Sequence, residues 1–178
     1  EAASLLDRAR STTGSPIDVL VNNASIFPTD GMDSVTPHDW QRNMAVNAWA
    51  PFVLTRSFAG QGSAGVVINL LDTRINAFDP KHFSYTLSKK LLHALTVDSA
   101  LAYAPLVRVN AVAPGLVLPP PGETEAYLED RAAANPLRAH GSAQDVARAV
   151  AFFVESPFIT GQVIYVDGGS HLKGGVYD

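Results

Sequence analysis

Short apolar runs alternate along this chain with longer stretches of helical period, the pattern of parallel strands joined by crossover helices. Asp18-Val19-Leu20-Val21 is apolar on both faces, as an internal parallel strand is, and follows a helical stretch, Ala2 to Arg10, closed by Thr13-Gly14-Ser15-Pro16. A polar loop from Asn22 to Thr36 leads to a helix start, Thr36-Pro37-His38-Asp39, with proline at the first helical position. That helix is expected to run to about Ala59, kinked at Pro51. Gly65 to Leu70 reads as a second buried strand, and the loop Leu71 to Phe83 enters a helix from Ser84 to about Tyr103, stopped by Pro105. Val107 to Val112 is a third strand, broken by Pro114-Gly115.

Leu116 to Gly122 carries Pro119, Pro120 and Pro121, and reads either as a rigid connector or as a pocket wall at the carboxyl end of a strand. Helices near Glu123 to Ala134 and from Ser142 to Glu155 precede a last strand, Gln162 to Val166. No internal repeat, low-complexity tract or interdomain linker interrupts the pattern. Residues 1–178 therefore read as a single α/β domain, or as part of one.

Composition narrows the partners. The formal charge is -4 with 13 Lys plus Arg, which provides no basic surface for nucleic acid or anionic membrane. With no cysteine there are no disulfides or thiolate metal sites. The histidines His38, His82, His93, His140 and His171 lack the i, i+4 spacing of helical metal ligands, so no metal is expected and they read as ordinary surface or core residues. No apolar run reaches the roughly 18 residues of a membrane span. Glu1-Ala2-Ala3-Ser4 does not begin a signal peptide, which makes the cytoplasm the default location.

The candidate chemistry centres on Tyr85 and Lys89 in Phe83-Ser84-Tyr85-Thr86-Leu87-Ser88-Lys89. Residues four apart share a helix face, and a cation beneath a phenol favours the phenolate, making the hydroxyl a better acid. A solvated surface pair has the same spacing. In open parallel sheets, however, ligands bind at the carboxyl ends of strands, and Asn22-Asn23-Ala24-Ser25, Asp72 and Pro114-Gly115 all fall there.

These segments, with Val46-Asn47-Ala48, Arg108-Val109-Asn110-Ala111-Val112-Ala113-Pro114-Gly115, Ile159-Thr160-Gly161-Gln162 and Val166-Asp167-Gly168-Gly169, resemble the short-chain dehydrogenase/reductase family in order and spacing. The resemblance implies a Rossmann-type, doubly wound parallel sheet. It also implies that Tyr85 is the catalytic acid, that Lys89 lowers its pKa and holds the nicotinamide ribose, and that Asn47 holds a water in a proton relay. Asn23, Ala24, Ser25, Leu70, Pro114, Gly115 and Val117 would line the cofactor, with Ser25 and Leu118 also facing substrate. Asn110 and Asp167 are expected to hold backbone together. A homotetramer built through the two long helices and the last strand is implied as well.

Two departures point to a branch. The family usually carries serine thirteen residues before the tyrosine, where this chain has Asp72, and Asn-Asn-Ala-Gly is here Asn22-Asn23-Ala24-Ser25, followed by Ile26-Phe27. Both resemble the pteridine reductases, whose substrate is a flat nitrogen heterocycle. Phe27 could stack on such a ring, and Asp72 could accept from its N-H groups or relay a proton. Asp72 would also raise the Tyr85 pKa, opposing Lys89. Three alternatives stay open: Phe27 as a core aromatic, Asp72 as a cap, and a different carbonyl or alcohol substrate. A catalytically silent assembly subunit is a further one.

No G-x-G-x-x-G precedes Asp18. The glycine-rich βαβ portion of the family, about 60 to 80 residues, is therefore expected to be lacking, leaving the C-terminal catalytic part of the fold. The residues that select between cofactors would lie in that portion. NADPH is preferred by resemblance, with NADH as the alternative.

Overall fold

The computed structural model describes residues 2–120 and 122–173; Pro121 of the proline-rich stretch lies outside the described residues, as do Glu1 and residues 174–178. Four strands, β1 (Val19–Asn22), β2 (Gly65–Leu70), β3 (Val107–Pro114) and β4 (Val163–Val166), pair in parallel in the order β1-β2-β3-β4. The central pairing runs from Gly65 opposite Val107 to Leu70 opposite Val112. β1 flanks it with Val19 opposite Val66, and β4 with Ala111 opposite Val163. The strands are parallel as the strand and helix alternation predicts, and the architecture is the Rossmann-type doubly wound sheet that the family resemblance implies.

Side chains alternate across the sheet with period two, and each face has its own core. On one face Val67, Val107 and Val109 pack with Phe58 and Ala100, from α3 (Ala50–Ala59) and α4 (Phe83–Ala102), and with Leu6 of α1 (Ala2–Thr13). On the other, Val66, Ile68, Leu70 and Val112 pack against Ala149 and Phe153 of α6 (Ala143–Glu155). Ser142 and Asp145 form a capping box that starts α6.

Three elements depart from the sequence reading. The helix from Pro37 is not a single kinked helix: α2 (Pro37–Met44) passes through a π-helical segment, Ala45–Trp49, before α3. Pro51 has no N-H to offer the Asn47 carbonyl, and the ladder has already slipped one residue, with the Ala50 N-H donating to the Ala45 carbonyl. β3 continues to Pro114 instead of ending at Val112, because β4 pairs with its last four residues and the Gly115 N-H donates to the Val166 carbonyl at 3.0 Å. The helix expected near Glu123 to Ala134 is the shorter α5 (Glu125–Ala132).

Gly65 opens β2 in a place where no side chain fits. A Cβ there would lie 2.6 Å from Phe58 Cζ and 2.9 Å from the Asp18 carbonyl oxygen, and the Phe58 ring is itself buried. Gly65→Ala is therefore expected to destabilise the fold by about 1–3 kcal/mol, the usual penalty of overpacking. Denaturant unfolding of the two proteins side by side checks it, and a difference within about 0.5 kcal/mol would contradict the packing.

Candidate active site

Tyr85 and Lys89 lie on the buried face of α4, one turn apart, and the start of that helix is fixed from outside it. His82, at the N-cap, makes no side-chain cap bond. Asp30, from the loop after β1, supplies the acceptors instead: its carboxylate accepts from the Ser84 N-H at 2.9 Å and from the Ser84 hydroxyl, and its backbone carbonyl from the Phe83 N-H at 3.1 Å. A carboxylate at a helix N-terminus is stabilised by the exposed N-H groups. Ser88 adds a hydroxyl bond to the Tyr85 carbonyl, 2.6 Å.

The Tyr85 hydroxyl donates to Asp72 Oδ2 at 2.7 Å. Lys89 turns elsewhere: its Nζ donates to the Leu70 carbonyl at 2.8 Å and lies 5.8 Å from the Tyr85 ring centroid. The contest between Asp72 and Lys89 over the phenol goes to Asp72. Burial first, then the charge and hydrogen bond of Asp72, raise the Tyr85 pKa well above the usual phenol range, against an opposing pull from Arg74. Near neutral pH this oxygen therefore keeps its proton. Burial also lowers the Lys89 pKa to about 8, with Asp72 opposing the shift.

Asp72 is both a cap and a partner of the phenol. It precedes a 3₁₀ turn, Thr73–Asn76, where its Oδ1 accepts from the Arg74 N-H at 2.8 Å, while Oδ2 receives Arg74 Nη1 at 3.1 Å beside the Tyr85 hydroxyl. Arg74 Nε reaches Asp79 Oδ2 at 3.0 Å, and Asp79 Oδ2 meets His82 Nδ1 at 2.9 Å. Burial works against the charge of Asp79, yet its bonds to the Lys81 N-H and His82, with the His82 and Arg74 charges, bring its pKa below the usual carboxylate value. Phe27 sits among these groups, stacked on His82 at 4.0 Å, edge-on to Tyr85 at 4.5 Å, and 5.0 Å from the Arg74 guanidinium carbon.

Asn47 is fully buried, and its side-chain amide is engaged by protein. Oδ1 accepts from the Ile26 N-H at 2.9 Å and the Ser25 hydroxyl at 3.2 Å; Nδ2 donates to the Ile26 carbonyl, Asn43 Oδ1 and Ser88 Oγ. The side chain is thus a clamp holding the loop after β1 against α4.

Most of the sequence-predicted residues meet at one cavity of about 570 Å³ at the carboxyl ends of β1, β2 and β3: Asn23, Ser25, Leu70, Asp72, Tyr85, Lys89, Pro114, Gly115, Val117 and Leu118. A smaller cavity of about 180 Å³ shares Asp72, Tyr85, Gly115 and Leu118 with it, and adds Phe27, Thr73, Arg74, Leu116, Pro120 and Tyr127. Pro120 thus gives the proline-rich stretch the role of a pocket wall. Ala24 is exposed and Asn47 lies beneath the loop; neither borders these two cavities. Arg74, Tyr127 and His82 did not emerge from the sequence. The one signal was a cation two residues beyond Asp72, close enough for a local ion pair.

The sequence family described as enoyl-(acyl carrier protein) reductase matches residues 1–171. A crystal structure of FolM alternative dihydrofolate reductase 1 from Brucella canis, complexed with NADP, is similar at 37% identity and a TM-score of 0.88, over 97% of this chain and 69% of that one. The 3beta-hydroxysteroid dehydrogenase 1 of Eggerthella lenta is 34% identical, over 97% of this chain and 70% of its own length. A dihydromonapterin reductase of Klebsiella pneumoniae is 28% identical over 74% of this chain and 57% of its own length.

The lowered Lys89 pKa makes a pH prediction. Between about pH 8 and pH 10.5 the folded protein binds fewer protons at this site than the unfolded chain, so this contribution to stability rises with pH across that window. Below it the full penalty applies, on the order of 3 kcal/mol. Relative to Lys89→Met, the wild type is expected to gain stability as pH rises from 8 toward 10. Chemical unfolding of both proteins at each pH measures it; two parallel stability curves would contradict the buried ammonium.

Proposed function

Because the chain belongs to the short-chain dehydrogenase/reductase family, we propose that it uses NADPH to reduce a pteridine or dihydrofolate-type heterocycle at the cavity shared by Asp72, Tyr85 and Lys89. The observation that carries this reading is the 2.7 Å bond from the Tyr85 hydroxyl to an aspartate, beside the partly exposed ring of Phe27. A carboxylate serves a carbonyl substrate poorly, since it offers no donor to the oxygen. It suits a ring bearing N-H groups, from which it accepts.

The donor set fits the cofactor. Among the described residues the Lys89 ammonium has a single hydrogen-bond acceptor, the Leu70 carbonyl, and its remaining N-H donors belong to the wall of the larger cavity, where they would meet ribose hydroxyls. Asn23 and Ser25 would border the same ligand on one side, and Pro114, Gly115 and Val117 on the other. NADPH when bound supplies a hydride. The crystallised FolM relative, complexed with NADP, supports this choice of cofactor.

Reduction of a C=N bond also requires a proton at nitrogen, and Tyr85 with Asp72 holds one. The raised pKa keeps the phenol protonated, and Asp72 is placed to pass the proton on or to orient the N-H group that receives it. Pro51 denies the Asn47 carbonyl its usual helical donor, and that carbonyl, not the saturated amide, is the part of Asn47 we assign to proton relay. Phe27 offers the flat ring an aromatic surface.

We place this activity in a single domain, in the cytoplasm, and in a homotetramer. Trp49 and Leu101, exposed on the long helices, support the assembly. The 3beta-hydroxysteroid dehydrogenase likeness favours a second reading, an alcohol or ketone substrate handled by the same Tyr85 and Lys89.

Assays of dihydrobiopterin, dihydromonapterin and dihydrofolate with NADPH, beside a panel of ketones, separate the two. Turnover of at least one pterin is expected, falling in Asp72→Ser by about 10- to 100-fold more than any ketone turnover, and in Tyr85→Phe by at least about 100-fold. Activity confined to ketones would leave only the second reading standing.

A further inference from the structure

Arg74 is held more tightly than a surface arginine. Its side chain is 18% exposed, and its guanidinium spans two carboxylates, Asp72 through Nη1 at 3.1 Å and Asp79 through Nε at 3.0 Å. Asp79 is anchored in turn by the Lys81 N-H at 2.9 Å and by His82. Asp72 depends on Arg74 at both oxygens. Oδ1 takes the Arg74 backbone N-H, and Oδ2 takes the guanidinium together with the Tyr85 hydroxyl. Among the described residues Arg74 is the one cation in ion-pair contact with Asp72, since Lys89 is committed to the Leu70 carbonyl.

We propose that Arg74 is a positioning residue of this active site, locking the Asp72 carboxylate in the orientation that meets the Tyr85 hydroxyl, with Asp79 as the strut that holds the guanidinium in place. The inference rests on the reductase reading given above, and it does not depend on a pterin being the substrate. A guanidinium is planar and its donors are fixed in a fork, so the Nη1 hydrogen bond to Asp72, with the Asp79 carboxylate 3.0 Å from Nε as an ion pair, limits how far the group can swing. The Nη1 donor in turn sets where Oδ2 can lie. Without the cation, a mostly buried carboxylate would face a phenol with no positive partner. It would turn toward solvent or toward the remaining Arg74 N-H, and the 2.7 Å bond to Tyr85 would be lost. Among the described residues, the groups that face Asp72 and Arg74 include Tyr85 and Lys89 on α4, Asp79 and His82 in the loop before it, and the Phe27 ring.

A double-mutant cycle tests this, run on whichever substrate, pterin or ketone, the wild-type protein reduces faster with NADPH. Arg74→Met should lower kcat/KM by roughly 10- to 100-fold, mostly in kcat. In an Asp72→Ser background the same change should matter by less than about 3-fold, because there is no carboxylate left to orient. Asp72→Asn offers a second background of nearly unchanged shape. Arg74→Lys, which keeps the charge without the fork, should recover only part of the loss. Equal losses in the Asp72 variants and the wild type would overturn the proposal, as would full activity of Arg74→Lys or Arg74→Met. A protein that reduces ketones but no pterin would refute the pterin reading while the cycle still decides the role of Arg74.

Discussion

Ser84 and Ser88 lie one turn apart on the buried face of α4, and through them separate segments are tied to the helix that carries Tyr85 and Lys89. Asp30 binds Ser84, Asn43 Nδ2 donates to the same hydroxyl at 2.7 Å, and Asn47 links Asn43, Ser88 and the Ser25–Ile26 segment. Every member of this ladder except Ser25 and Ile26 is buried. Each bond adds only about 0.5–1.5 kcal/mol net, but each partner left unpaired would cost about 1–3 kcal/mol, so the ladder is strongly cooperative in what it forbids. It forbids α4 from sliding or rotating relative to the loop that carries Phe27. The distance between aromatic ring and phenol is thereby set by groups that, Ser25 apart, touch neither cavity.

The electrostatics of the site follow from where that ladder puts α4. Burial moves Tyr85 and Lys89 in opposite directions, the phenol up and the ammonium down, and in both cases it favours the neutral form. Asp72 opposes burial at Lys89 and reinforces it at Tyr85. One carboxylate therefore holds a proton on the phenol while helping to keep the ammonium charged. Arg74 and Asp79 make this arrangement tolerable by giving the carboxylate a cation of its own.

β2 and β3 could be read from the sequence because internal parallel strands are apolar on both faces; β1 has the same apolar run but lies at the edge of this sheet with Val19 and Val21 exposed. Tyr85 and Lys89 were legible as residue types at a spacing, and Asp72 and Phe27 through the family resemblance. What those residues touch was not. The Asp30 cap joins positions 54 apart, Asn47 meets Ser88 across 41 residues, and the Thr73 hydroxyl meets Asp167 across 94. No local pattern encodes such pairs. The π-helical segment was hidden for a related reason: Pro51 signals a missing donor, but how the ladder absorbs the loss depends on Asn43 and Asn47 being anchored to α4. His82 looked ordinary because its function in the fold, stacking on Phe27, depends on a loop fixed elsewhere.

The two cavities meet at Asp72, Tyr85, Gly115 and Leu118, and this division explains why the phenol stands where it does. The larger space carries the ammonium of Lys89 and the small or apolar residues that end β2 and β3; the smaller carries Phe27, Arg74 and Tyr127. A group that must reach molecules on both sides has to stand in the wall between them, and a tyrosine there presents its hydroxyl at the boundary while its ring stays packed. Asp72 shares the wall, so the proton on the phenol is already hydrogen-bonded at the boundary. Asp167 extends the same logic to the far side of the loop. Burial opposes its charge, but the Thr73 hydroxyl and the His171 and Gly169 N-H groups outweigh it and hold the acid below the usual carboxylate pKa. That ionised side chain grips the residue next to Asp72. The wall is therefore pinned from β4 as well as from α4, and its position is a property of the whole sheet.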